Sequence, residues 1–289
     1  MTAAVPAPNP RPVPAGNGLP WRCAPVLLLC LASAGCSPTQ ADAQAASHPA
    51  GSWLGAHALV GQEDRVAAVL ARTPALDTAA TGSSLLAFVA GYAANDAAPS
   101  DNRRSAWRRL APADAYRGYQ GRFDLRAYLA PDVRGGTGHV VEVAKPGVPA
   151  GELTLVVVEA RNAGRLVGAV HSYPQPGLRL TSAAIATDGP ALLLALWWGD
   201  GDGLRHHVAP GAGFRVIERF TRLPPHSAVQ AVVAVREVPR AGSYRVDWYN
   251  APRQGAILWL LAFAPAGAPA QVQPPAGNQT SRAMPSSTR

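Results

Sequence analysis

The chain alternates short apolar runs with glycine, proline, asparagine and aspartate, and this pattern restricts it to a fold made of β-strands. Residues 153–158 form an unbroken aliphatic and β-branched run, which is typical of a strand buried on both faces. Residues 242–248 alternate apolar and charged side chains, as a half-buried strand does. Further strand-like runs lie at 65–70, 84–92, 139–143, 191–198, 214–220, 229–235 and 256–263. No long segment has the period and caps of a helix, and residues 111–130 fit either a helical turn or further strands.

Three apolar segments recur in the same order about 105 residues further along the chain. Segment 81–89 is matched by 188–196, segment 107–110 by 214–217, and segment 151–157 by 255–261. A unit of about 105 residues has the size of a small sandwich. The sequence therefore predicts an all-β protein, a β-sandwich built from two tandem repeats. The repeats form either two small sandwiches or one larger sandwich to which both contribute.

Residues 21–36 have the order of a secretory signal: a positive charge at Arg22, a mostly apolar run, and small residues that lead to Cys36. The apolar run from Cys23 to Ala32 is shorter than the roughly 20 residues that a membrane-spanning helix needs. Its end, Leu31–Cys36, resembles the lipobox of bacterial lipoproteins, with Ser33 at the position where leucine is commonest. The resemblance implies cleavage before Cys36, lipidation of that residue and anchoring to a membrane of the cell envelope.

The residue after this cysteine is Ser37 rather than aspartate, which by the same resemblance favours the outer membrane over the inner one. The other cysteines, Cys23 and Cys30, lie within the signal, so cleavage leaves a single thiol and no disulfide. We therefore divide the chain into five parts. They are a signal peptide (1–35), a flexible tether (36–60), a first repeat (61–165), a second repeat (166–264) and a disordered tail (265–289) that is rich in proline, glycine, serine and threonine.

A glycine-rich segment after one predicted strand carries the best candidates for metal and sugar binding. Asp200 and Asp202 stand at alternate positions, so their carboxylates can both face a calcium ion, although a tight turn after a buried strand is the favoured interpretation. Calcium is the one cofactor that the sequence suggests. Trp197 and Trp198 are neighbours on a strand and point to opposite sides. We therefore expect one of them in the core and the other exposed, where its ring can stack on a sugar.

A second candidate is a basic segment that contains Arg103, Arg104, Arg108 and Arg109 around a tryptophan. Guanidinium groups bind carboxylates and phosphates through paired hydrogen bonds, so the segment suits anionic polysaccharide or lipid headgroups. The alternative is a solvated strand face in a protein whose only lysine is Lys145 and whose other basic residues are all arginine. The formal net charge is +8, and in an exported protein we expect anionic envelope polymers or another envelope protein as partners, not nucleic acid.

The sequence lacks several patterns that catalysis requires at fixed spacing. It has no Gly-x-Ser-x-Gly elbow, no His-Glu-x-x-His pair and no Gly-x-x-x-x-Gly-Lys loop. Glu159 and Glu218 lie in strand-like runs and are the carboxylates that a glycoside hydrolase would use if they met in a cleft.

Segments 186–200 and 255–260 resemble an uncharacterised group of bacterial secreted β-sandwich proteins, a resemblance that implies a fold and no activity. The sequence thus favours a lipid-anchored, non-enzymatic envelope protein whose β-sandwich binds a ligand or partner. The alternatives are an envelope polysaccharide hydrolase and a structural lipoprotein.

Overall fold

The computed structural model describes residues 52–62, 69–92, 97–115, 123–145, 152–200, 207–221 and 229–265. All the regular secondary structure in these ranges is β-strand, which confirms the predicted all-β class. This part of the chain contains no helix with the length and hydropathy of a membrane span. The predicted signal peptide, Cys36 and residues 266–289 lie outside the described ranges.

Residues 54–161, here called the first half, contain eleven strands among the described residues. They are β1 (Leu54–Gln62), β2 (Leu70–Arg72), β3 (Leu76–Thr78), β4 (Ser83–Tyr92), β5 (Ser100–Asp101), β6 (Arg108–Arg109), β7 (Asp114–Ala115), β8 (Phe123–Val133), β9 (Gly136–His139), β10 (Val141–Ala144) and β11 (Leu153–Arg161).

Residues 163–265, here called the second half, contain ten strands in their described part. They are β12 (Ala163–Ser172), β13 (Gly177–Thr181), β14 (Ile185–Thr187), β15 (Ala191–Asp200), β16 (His207–Pro210), β17 (Arg215–Phe220), β18 (Val229–Val238), β19 (Gly242–Tyr244), β20 (Asp247–Gln254) and β21 (Ala256–Pro265).

Each half forms one large sheet and two small ones, and the strand order is the same in both. The first large sheet has the order β1-β11-β4-β8-β6, with β7 also paired to β8, and the second has the order β12-β21-β15-β18-β17. The small sheets are β2-β10-β5 and β3-β9 in the first half, and β13-β20-β16 and β14-β19 in the second. Apart from β7, replacing each strand of the first half by its counterpart along the chain therefore reproduces the sheets of the second.

The two large sheets share a central hydrophobic core. Residues from both contribute to it, and Phe88 of the first half meets Trp259 of the second edge to face, with 5.8 Å between ring centroids. An outer core lies on the other side of each large sheet, beneath its own small sheets. The inner strands of the large sheets are therefore buried on both faces, which is why β11, β15 and β21 are nearly continuous apolar runs. Of the two predicted arrangements, the described residues form the single larger sandwich to which both halves contribute.

Two predicted boundaries differ from the observed ones. The tether was expected to reach residue 60, but β1 begins at Leu54, pairs with β11, and buries Leu54 and Ala58. Small residues and glycine make this edge strand hard to recognise in the sequence. The halves meet at Asn162, which has a φ of 50° and separates β11 from β12, so the second half begins before residue 166. Segment 111–130, for which the sequence allowed either a helical turn or strands, contributes β7 and most of β8 and contains no helix in its described residues.

Candidate functional site

The two tryptophans proposed for sugar stacking are both buried. Trp197 is 0% exposed and lies in the outer core of the second half, and Trp198 is 2% exposed and lies in the central core. They do point to opposite sides of β15, as expected, but each side of this strand is covered by another layer. The expectation that one of them is exposed is therefore wrong, and neither ring presents a face to a sugar.

The predicted calcium residues lie at the limit of what the structure describes. Asp200 ends β15, where its backbone pairs with Val229, and nothing is described of its side chain. Asp202 lies outside the described residues. Within the described residues, no three histidine, cysteine, aspartate or glutamate side chains come together as a metal site would require. The calcium site stays a prediction.

Glu159 and Glu218 lie on opposite sides of the first large sheet. The buried Glu159 carboxylate accepts hydrogen bonds from the amides of Ala56 (2.8 Å) and Ala79 (2.7 Å) and from the Ser83 hydroxyl (2.7 Å). It faces away from the central core, whereas Glu218 pairs with His57 on the central side of the sheet. Two carboxylates so placed do not share a cleft, and Glu159 instead fixes β1 and the start of β4 to β11.

The four predicted arginines form an exposed cluster on the connection between β5 and β6, which we call the arginine loop (residues 102–109). Arg103, Arg104, Arg108 and Arg109 are all exposed. Arg104 has a φ of 60°, in the left-handed region that a non-glycine residue occupies only when its surroundings hold it there. The conformation of the loop is thus imposed by other residues.

Asp101, at the end of β5, is the residue that imposes it. Its Oδ1 accepts hydrogen bonds from the amides of Arg103 (2.8 Å) and Ser105 (3.1 Å), and its Oδ2 accepts one from the Trp107 indole (2.8 Å). Burial by itself would raise the pKa of the Asp101 carboxyl, but the hydrogen bonds from Ser105, Trp107 and Arg103 together lower it. The carboxylate therefore stays ionised at neutral pH and keeps accepting all three bonds.

A buried polar chain lies behind this carboxylate. His139 Nε2 is 3.5 Å from Asp101 Oδ1, and neither side chain is exposed. His139 Nδ1 is 2.9 Å from the Thr78 hydroxyl oxygen. Burial is the main cause that lowers the pKa of His139, although Asp101 opposes it, so the imidazole is neutral at neutral pH. Aspartate, histidine and a hydroxyl in this order resemble a catalytic relay, but a substrate has no access to them, and their effect is to support the loop.

Further contacts fix the arginine loop to β9 and to the residue that follows it. Asn102 donates to the Gly138 carbonyl (2.8 Å) and accepts from the Val140 amide (3.0 Å). The Arg103 guanidinium donates to the Thr137 carbonyl (2.7 Å). These contacts anchor the start of the loop. Its end pairs with β8 through Arg108 and Arg109, and Arg109 Nε donates to the Ala111 carbonyl (3.1 Å). The arginines therefore extend from a fixed backbone.

The second half has no comparable cluster at the corresponding connection. There β16 and β17 are joined by Gly211-Ala212-Gly213-Phe214, a tight turn closed by a 3.3 Å bond from the Phe214 amide to the Gly211 carbonyl. Gly213 has a φ of 85°. Residues 211–214 contain no arginine, and Arg215, the first residue of β17, is the one arginine in residues 211–215. Two connections at the same place in the same topology thus differ in length and charge, which marks the arginine loop as a special feature of the first half.

Compared with known protein families, curated proteins and solved structures, the chain has no match.

Proposed function

We propose that this is a non-enzymatic binding protein of the bacterial envelope, anchored by lipid at Cys36, whose first half binds anionic polysaccharide through the arginine loop. The observation that carries the proposal is the set of hydrogen bonds that Asp101 accepts, which fixes the backbone of the loop with its four exposed arginines. The anchor and the outer-membrane address rest on the lipobox resemblance and on Ser37.

The chemistry of the loop suits a polymer that bears carboxylate, sulfate or phosphate groups. A guanidinium group presents a planar fork of donors that matches these anions, and several such groups on a fixed backbone lose little conformational freedom on binding. Repeated anionic groups along a polysaccharide can contact more than one arginine at once, so weak individual contacts add up.

We also propose that the two halves arose by internal duplication, because their sheets have the same strand order. After a duplication one copy is free to acquire a site while the other keeps a purely structural role. The short glycine turn at Gly211–Phe214 and the longer arginine loop fit that division.

The test compares two charge-matched double variants of the soluble form that lacks residues 1–36. Arg104→Gln with Arg108→Gln changes the arginine loop, and Arg215→Gln with Arg240→Gln removes two exposed arginines from the second half. Binding to dextran sulfate and to polygalacturonate is measured by calorimetry, with neutral dextran as the reference polymer. We expect the loop variant to lose about tenfold in affinity, about 1.4 kcal/mol, and the second-half variant to bind like the wild type.

Equal losses in both variants would show that binding depends on net charge alone and would contradict the proposal. The absence of binding by the wild type to either anionic polymer, with and without calcium, would also contradict it. Because the contacts are exposed, the affinity should fall as the salt concentration rises.

A further inference from the structure

Two histidine–carboxylate pairs join the halves, one at each edge of the central core. His57 Nδ1 on β1 is 2.7 Å from Glu218 Oε1 on β17. His171 Nδ1 on β12 is 2.6 Å from Asp114 Oδ1 on β7. Each half supplies one histidine and one acid, so the two pairs are reciprocal.

The strand register places all four side chains on the central side of the large sheets. His57 is opposite Val158, and Glu218 is opposite Val233, both of which belong to the central core. Asp114 is opposite Leu125, which also belongs to it. The His171 ring stacks on Trp259 of the same core, with 4.8 Å between centroids and 18° between planes.

The four side chains are only partly covered, so protons can reach them. The exposed fractions are 23% for His57, 25% for Glu218, 38% for His171 and 19% for Asp114. Pairs at this depth are stronger than fully solvated pairs, because less water screens them, and they do not carry the full cost of burying a charge.

We propose that these pairs act as a pH-sensitive clasp: protonation of His57 and His171 converts each hydrogen bond to a carboxylate into an ion pair, so the two halves are held more firmly as the pH falls below neutrality. A neutral imidazole can donate through Nδ1 only in one tautomer, whereas an imidazolium donates through both nitrogens and also attracts the carboxylate charge. Histidine changes its charge between pH 5 and 8, where few other side chains do.

The other charged side chains on the surrounding strands have partners of their own or face the opposite side of the sheet. On β18, Glu237 also faces the central side, opposite Leu192, and accepts a 3.3 Å bond from the Trp53 amide. On β11 the residues of this face are apolar, and Glu159 points to the other side. Arg236 faces the outer core, where it lies over Phe214 and Tyr244.

The surroundings of His171 are similar. Its neighbour on β21 is Trp259, and β8 contributes Leu125 and Ala127 to this face, while Asp124 and Arg126 alternate with them and pair with each other. Arg165, on the same strand as His171, pairs with Asp188 at 3.7 Å. Burial raises the pKa of the Asp114 carboxyl, and the contact with His171 opposes that rise.

The test measures unfolding by denaturant at pH 8 and pH 5.5 for the wild type and for the double variant His57→Gln with His171→Gln. The folding equilibrium constant, folded over unfolded, is compared between the wild type and the double variant at each pH. We expect the wild-type constant, divided by that of the double variant, to rise by about fivefold from pH 8 to pH 5.5. Each single variant should give about half of that effect on a logarithmic scale. His207→Gln, which changes an exposed histidine on β16, should follow the wild type. His139 is present in all these proteins, so its own titration cancels in the comparison.

If the folding equilibrium constants of the wild type and the double variant differ by the same factor at both pH values, the proposal is overturned. If the double variant does not fold, the pair Glu218→Gln and Asp114→Asn decides, because these amides keep an acceptor oxygen and remove the charge. The proposal requires that this double variant lacks the gain in stability that the histidine pairs give the wild type between pH 8 and pH 5.5. An undiminished gain at pH 5.5 would overturn it.

Discussion

The indole nitrogen of Trp107 donates a 2.8 Å hydrogen bond to the carboxylate of Asp101, and this contact ties the exposed arginine loop to the outer core of the first half. Trp107 packs against that core, so the tryptophan connects a hydrophobic layer to the carboxylate that arranges the loop backbone. The positions of the arginines therefore depend on residues that no ligand touches.

Asp101→Asn should weaken both folding and polymer binding. An asparagine has one acceptor oxygen in place of the carboxylate, and its NH₂ group faces the amides of Arg103 and Ser105 or the Trp107 indole. We expect a loss of about 1–3 kcal/mol in the free energy of unfolding and weaker binding of dextran sulfate. Chemical denaturation and calorimetry measure the two effects. Asp132→Asn is the control, because Asp132 is exposed and its φ of 48° suits asparagine. An Asp101 variant that behaves like this control would contradict the supporting role of Asp101.

Gly55→Ala should destabilise the protein far more than Gly189→Ala. A Cβ on Gly55 would lie within 2.0 Å of the Glu159 carboxylate oxygen, and Glu159 is held in place by its own hydrogen bonds. A Cβ on Gly189 meets nothing within 4 Å. We expect a loss of about 2–3 kcal/mol for Gly55→Ala and a change within about 0.5 kcal/mol for Gly189→Ala. Thermal and chemical unfolding check both values, and similar stabilities of the two variants would count against the described packing of β1 on β11.

His139 should make the protein less stable in mild acid. Burial lowers the pKa of His139 in the folded protein, whereas the unfolded chain binds a proton near the ordinary value of about 6.5. The stability that this residue contributes is therefore present above that value and is lost as the pH falls through it. His139→Gln removes this loss, so the difference in unfolding free energy between wild type and variant should shift in favour of the variant between pH 7.5 and 5.5. A constant difference across that range would show that His139 does not titrate as its burial requires.

Lipidation predicts a single labelled residue. In cells supplied with labelled palmitate, the wild type should incorporate the label and Cys36→Ser should not, because the lipobox resemblance places the lipid on that cysteine. Cys23→Ser and Cys30→Ser are matched controls, since both lie within the predicted signal peptide. Label on the Cys36→Ser protein, or none on the wild type, would contradict the proposed anchor.

The strands of the large sheets could be predicted where burial on both faces produced an unbroken apolar run, as in β11 and β15. The edge strands β1 and β12 were missed as such, because glycine, alanine and histidine interrupt the pattern, and one side of an edge strand has no neighbour to demand a bulky side chain. The sequence pattern indicates how deeply a strand is buried, but it does not indicate which strand will lie at the edge of a sheet.

The prediction for Trp197 and Trp198 was wrong for a related reason. Alternation along a strand puts neighbours on opposite sides, but it exposes one of them only when one face of the sheet is open. The run 191–198 is apolar at every position, and this was the available sign that both faces are covered. No local sign identified the support of the arginine loop, because Asp101, His139 and Thr78 are distant in sequence and come together only when β3, β5 and β9 have formed.

The covering of both large sheets restricts how this protein can change in evolution. Side chains in the interiors of those strands are packed from above and below, so substitutions there are limited by volume and cannot create a new recognition surface. Novelty must arise in the connections, where insertions do not disturb the stacked layers. A lineage of such proteins should therefore conserve the size of its strand residues and diversify in the segments between them.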